Sequence, residues 1–109
     1  MKESSLTKKV AELFRKAGAW VHKAHGSIYG YAGTPDLLIC FNGGQFIAIE
    51  VKVGNNKPTP LQTVQLAKIQ SAGGLAVVIR SVAEAEQLLG TLKKVKRDQQ
   101  TLDDLRGTG

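Results

Sequence analysis

Two apolar runs, DLLICF (36–41) and QFIAIEVKV (45–53), stand on either side of Asn42-Gly43-Gly44. Such a turn supplies the positive φ angles that a tight reversal needs, so the runs read as the strands of one antiparallel hairpin. If the turn centres on Gly43, Phe41 faces Gln45 and, counting back, Asp36 faces Glu50. A one-residue bulge would shift that register by one position.

The rest of the chain is punctuated around this hairpin. In residues 3–17, Glu3, Leu6, Val10, Leu13, Phe14 and Ala17 fall on one face of a 3.6-residue period, and Gly18 stops the helix they define. Ala19–Ala24 is a short strand with Trp20 and Val21 as its bulky members. Residues 25–35 form a loop with three glycines and a proline. Thr59 caps a second helix that has Pro60 at its first position, runs to about Ala72 and stops at Gly73-Gly74. LAVVIR (75–80) is a β-branched strand, and Ser81 with Glu84 makes a capping box for a last helix reaching Leu89. A helix between strands implies a mixed sheet covered by helices, an α/β core of order αβββαβ followed by the last helix. Residues 1–90 make the expected domain, and 91–109 a charged tail that could be helical. Trp20 and Cys40 are read as core.

With 109 residues the chain has the size of one ordinary domain. Its one cysteine excludes an intramolecular disulfide and any zinc site built on two thiolates. No secretory signal is expected from the N-terminal residues, and the longest apolar runs, about five residues, fall far short of the ~20 a membrane span needs. These features fit a protein of a reducing compartment, the cytoplasm. Lys+Arg total 15 against 9 for Asp+Glu, a net charge of +6 that favours an anionic partner such as nucleic acid. Between Val53 and Arg80 the charged residues are Lys57, Lys68 and Arg80, with no carboxylate.

The few acids stand out against that background. Alternation along QFIAIEVKV puts Phe46, Ala48, Glu50 and Lys52 on one face. A glutamate and a lysine inside an apolar strand cost stability unless they are paired or used. Facing carboxylates repel, by up to ~1 kcal/mol, so Asp36 opposite Glu50 suggests a bound cation. Glu3 lies on the apolar face of the first helix, where a terminal acid often only snorkels; with Asp36 and Glu50 it completes a set of hard oxygen ligands for Mg²⁺ or Mn²⁺.

Pro35-Asp36 followed by Glu50-Val51-Lys52 resembles the PD-(D/E)xK nucleases. The longer stretches GTPDLLI, FIAIEVK, TPLQ and AGGLAVVIRS are similar to the virus-type replication–repair nuclease (VRR-NUC) domain over roughly residues 3–90. The resemblance implies metal-dependent phosphodiester hydrolysis, with Asp36 and Glu50 as metal ligands, Glu3 as a ligand to a second ion or through water, and the Val51 carbonyl as a further ligand. It gives Lys52 the attacking water and the phosphate charge; the alternative is a salt bridge to Glu50. Gln62 matches the family's helix glutamine, although Thr59-x-x-Gln62 also fits a capping box. Lys23 matches the family's first-strand lysine and is expected, with Lys57, to touch DNA. His22 and His25 are placed on the surface or near the DNA groove, and Tyr29 and Tyr31 in a loop that contacts DNA or merely anchors itself.

Stand-alone members of the family from phages and bacteria resemble Holliday-junction resolvases, and a junction needs paired cuts that a C₂ homodimer supplies. The expected activity is therefore a dimeric endonuclease acting on branched DNA. Flap or nick processing, restriction of foreign DNA, and a non-catalytic DNA-binding module are the alternatives. Leu88, Leu92, Val95, Gln99 and Leu102 recur at 4-3-4-3 spacing, which could pack on a partner although Gly90 interrupts it.

Overall fold

The structure, a computed structural model, describes residues 1–24 and 32–105, the side chains of residues 96–100 excepted. His25, Tyr29, Tyr31 and the Gln99 side chain lie outside the described residues. The elements run α1 (Glu3–Lys16), β1 (Trp20–Lys23), β2 (Leu37–Phe41), β3 (Gln45–Val51), α2 (Pro60–Ser71), β4 (Leu75–Ile79) and α3 (Val82–Leu105). The strands form one mixed sheet in the order β1-β2-β3-β4: the first three are antiparallel, and β4 joins β3 in parallel. The α2 crossover that parallel pairing requires is the helix the sequence puts between them.

The hairpin register follows the turn. Asn42, Gly43 and Gly44 all have positive φ, Phe41 pairs with Gln45, and Leu37 pairs with Ile49. One step further along the ladder sets Asp36 against Glu50. On one face of the sheet, Leu37, Ile39, Phe41, Ile47, Ile49 and Val51 pack with Leu6, Val10, Ala11 and Phe14 of α1 and with Ala85, Leu89 and Leu92 of α3. The other face carries Phe46, Ala48 and Glu50, and it is covered by α2. At the start of β4, Gly74 leaves room for Ile69 of α2 and for Phe46, which a Cβ there would meet at 2.8 Å and 3.1 Å.

Two expectations are corrected. Trp20 is 61% exposed and Cys40 is exposed too. The register puts Trp20, Cys40 and Phe46 in one row across the α2 face. Among the described residues, α2 is the helix on that face, and it packs on β3 and β4 rather than on β1 and β2. Trp20 instead stacks on His22, also exposed, with ring centroids 6.0 Å apart. The last helix does not stop at Leu89 but continues to Leu105. Gly90 stands on its open side, and Leu92 is buried, with its carbonyl accepting from Asn42 Nδ2 at 3.3 Å. Packing beyond the glycine thus offsets the roughly 1 kcal/mol that glycine costs inside a helix. Leu88 and Leu92 therefore pack on the chain's own core, whereas Val95 and Leu102 of the same spacing are exposed.

Candidate active site

The hairpin's open end gathers the acids. Asp36 immediately precedes β2, and its Oδ2 accepts the Val51 N–H at 2.8 Å. That bond fixes one carboxylate oxygen against the end of β3. Glu50 is 1% exposed, and both of its carboxyl oxygens are buried without a hydrogen-bond partner. An ionised carboxylate so placed is costly. Burial pushes the Glu50 carboxyl from 4.5 up to about 9; Asp36 adds to the rise through its charge and through the proton the two carboxyls would share, Lys52 opposes it, and Glu3 contributes least. The anchored Asp36 and the orphaned Glu50 have the chemistry that a hard divalent cation satisfies, two carboxylates with free lone pairs at one strand end.

Lys52 follows β3 directly. Its backbone N–H donates to Ile79 O at 3.1 Å, which extends the β3–β4 pairing by one residue. Alternation keeps its side chain on the face of Glu50. A pocket of about 240 Å³ opens between the first turn of α1 and the ends of β1 and β2, lined by Glu3, Ser4, Thr7, Lys23 and Asp36. Glu3 and Lys23 are thereby brought beside Asp36. Among the described residues, no three His, Cys, Asp or Glu side chains already converge as a metal-binding group. The Asp36–Glu50 pair is formed, while Glu3 faces it across the pocket.

Gln62 has a structural task. Its Oε1 accepts the Thr59 N–H at 2.9 Å, and its own N–H donates to Thr59 Oγ1 at 3.2 Å, the full capping box. Its amide nitrogen is not part of that motif. Lys57 is exposed on the loop between Lys52 and α2.

Two residues that position these segments carried no role in the sequence reading. Gly33 has φ +80°, and a Cβ there would lie 2.5 Å from Leu61 C and O and 2.8 Å from Gln62 N. This close approach docks the first turn of α2 on the loop that leads into Asp36. The signal was the glycine of GTPD, but a long-range backbone contact leaves no periodicity. Gly33→Ala is expected to cost about 2–4 kcal/mol, strain and overlap together. Gly43→Ala, with φ +83° but open space, pays only the backbone term of about 1 kcal/mol. Thermal melts of the two variants side by side check the difference. Arg80 is the second: its Nη1 donates to Gly54 O at 3.0 Å and Asn56 O at 2.7 Å, which ties down the loop after Lys52.

No family model matches the chain. It is 31% identical over 81 residues to "Putative nuclease p44" of Acyrthosiphon pisum secondary endosymbiont phage 1, a span of 74% of this chain and 85% of that protein. A solved structure of a VRR_NUC domain superposes with a TM-score of 0.70 at 30% identity, covering 81% of this chain and 94% of the other.

Proposed function

Because the chain belongs to the VRR-NUC family of nucleases, we propose that it is an Mg²⁺- or Mn²⁺-dependent endonuclease of branched DNA, a four-way junction above all, working as a homodimer. The observation that carries the metal-dependent reading is Glu50, buried with both oxygens unpartnered beside the anchored Asp36. An unused buried carboxylate is expensive, and a divalent cation is the partner that turns the cost into a binding site. Asp36, Glu50 and the Val51 carbonyl would hold the ion, with Glu3 acting through water or on a second ion. When bound, such an ion neutralises phosphate charge and makes water acidic enough to attack.

The chain's own groups do the rest. Asp36 is kept in register by the Val51 N–H, which anchors its Oδ2 at the end of β3. Glu50 must be ionised to bind, which makes its proton the competitor of the metal. Lys52 orients the attacking water and stabilises the charge growing on the phosphate. Water adds to phosphorus, the P–O bond to the leaving strand breaks, and the proton given up by water is returned to solvent or to the leaving oxygen. Lys23 and Lys57 grip the phosphate backbone. Gln62 closes the capping box at the start of α2 and keeps its amide nitrogen for a hydrogen bond near the phosphate. Residues 1–90, with Leu92 completing the packing, form the catalytic core; the far end of α3 carries exposed Val95, Leu102 and Leu105, which would face a second copy. Among the described residues, no helix is long and apolar enough to cross a membrane, and the proposed site of action is the cytoplasm.

The test is a cleavage panel of four-way junction, flap, nicked and linear duplex with Mg²⁺ or Mn²⁺, combined with light scattering. Paired cuts across the junction by a dimer are expected. Linear duplex cut as fast as the junction would overturn the resolvase reading, and a flap preference by a monomer would favour flap processing. Binding of branched DNA with no cut under any condition would mean a non-catalytic binding module.

A further inference from the structure

The aromatic pair on β1 has no part in the chemistry above. Trp20 is 61% exposed and His22 is exposed beside it. Their rings lie 11° from parallel with centroids 6.0 Å apart. His22 thereby holds the indole in one orientation, while most of the Trp20 surface stays in solvent. An indole so placed adds little to the core and offers a flat, pre-oriented π surface.

Register ties this pair to the acids. Trp20 pairs with Cys40, His22 with Leu38, and the Ala24 N–H donates to Asp36 O at 2.9 Å. Alternation puts Trp20, His22 and Ala24 on one face of the sheet, the α2 face, and Ala24 begins the row that Asp36 and Glu50 continue. At roughly 3.3 Å per residue along a strand and ~4.8 Å between strands, the Cα of His22 lies about 8 Å from that of Asp36, and the Cα of Trp20 about 14 Å. The longer span equals about four nucleotides at the ~3.4 Å each occupies in a stacked strand, and fewer in an extended one.

Charge favours a nucleic acid over a second copy as the occupant. Arg15 and Lys16 end α1, and Arg15 Nη2 donates to Val21 O at 3.3 Å, so a guanidinium stands at the free edge of β1 between Trp20 and His22. Lys23 follows His22 and lines the pocket at Asp36. Two copies meeting over this edge would crowd those cations, whereas a phosphate backbone complements them. The exposed row of Trp20, Cys40 and Phe46 also falls far short of the roughly 20–30 residues a side of a stable protein interface.

Resting on the nuclease reading, we infer that Trp20, braced by His22, is a stacking platform for one base of the branched substrate, a base unstacked from its neighbour at the branch point a few nucleotides from the cut. Every base has a π-face that an indole can meet, so the platform is indifferent to sequence. In a continuous duplex both faces of a base are covered by its neighbours; a branch point uncovers one. The platform thereby contributes to the choice of branched over linear DNA, and Arg15 meets the phosphate beside that base.

Trp20 is the one tryptophan of the chain, so its emission reports the contact directly. Without divalent ions, a four-way junction is expected to quench that emission on binding, and a linear duplex bound to the same occupancy is not. A junction with abasic positions around the branch point is expected to bind about tenfold more weakly and to lose the quench. Trp20→Ala should show the same tenfold loss on the intact junction and no further loss on the abasic one. Trp20→Phe keeps a π-face and should recover most of the affinity. The side chain is exposed, so neither variant puts folding at stake. Emission unchanged at saturating junction, or Trp20→Ala binding the junction as tightly as the wild type, overturns the proposal while leaving the nuclease reading intact. So does light scattering that finds the wild type a dimer and Trp20→Ala a monomer, which would make Trp20 a contact between subunits. If no substrate is cut once Mg²⁺ or Mn²⁺ is added, the nuclease reading fails instead, and the emission still decides whether a base meets Trp20.

Discussion

Glu50→Gln is expected to abolish cleavage and, in the same protein, to raise the melting temperature at neutral pH. The sign follows from the direction of the shift. Burial lifts the Glu50 carboxyl from 4.5 to about 9, so between those pH values the folded chain holds a proton that the unfolded chain has released. Metal-free stability is therefore unaffected below about pH 4.5 and falls as pH rises toward about 9. At pH 7 the loss comes to about 3 kcal/mol, from 1.36 kcal/mol per pH unit. A glutamine is neutral throughout and escapes this loss, although its buried amide is itself short of partners. A net gain of about 2 kcal/mol, roughly 10 °C in Tm, is expected at pH 7–8 and none at pH 4.5. Thermal melts without divalent ions across that pH range check it. A variant that loses activity yet gains stability marks a residue kept for binding rather than for folding.

Lys52→Ala is the second large effect, and it should act on rate rather than on fold. The backbone N–H of Lys52 holds the β3–β4 pairing, and alanine keeps that bond. Melting temperature should move by less than the equivalent of ~1 kcal/mol, as for most substitutions away from the core. Cleavage should fall by about 10²–10⁴, the range for losing a positioned acid–base group or a charge-stabilising one. Lys52 also opposes the upward shift of Glu50, so its removal tightens the competing proton, while it also takes away a positive charge that repels the metal; only a net weakening of metal binding would mimic a catalytic loss. Excess Mn²⁺ would repair a defect that came only from that weakening. Single-turnover cleavage at saturating Mn²⁺ separates the two: the catalytic role predicts a deficit that persists, and full rescue would reduce Lys52 to an electrostatic neighbour of Glu50.

The parts legible in the sequence are those governed by local chemistry. The Asn42-Gly43-Gly44 turn determined the hairpin register, and register alone made Asp36 and Glu50 cross-strand neighbours. Thr59 and Gln62 closed the capping box that their spacing implied. Helical periodicity put Glu3 on the inner face of α1, beside the pocket that Asp36 lines. The parts not legible depend on how layers meet. Trp20 and Cys40 have the composition of core residues, but their burial depends on which strands α2 crosses, and no local pattern carries that. Gly90 resembles a stop, yet α3 continues because Leu92 finds the core. Gly33 and Arg80 act on segments 28 and 26 residues away, through backbone atoms that have no sequence signature. The depth of Glu50 was equally hidden: alternation gave its face, and only the packed structure makes it an orphaned acid.

The central claim is that Asp36 and Glu50 form a metal site whose competitor is a proton on Glu50. Isothermal titration of Mn²⁺ into the protein at pH 7, repeated in buffers of different ionisation enthalpy, tests it most directly. Wild-type protein is expected to bind with release of close to one proton, and Glu50→Gln not to bind at the same site. Undiminished Mn²⁺ binding by Glu50→Gln, or wild-type binding without proton release, would contradict it.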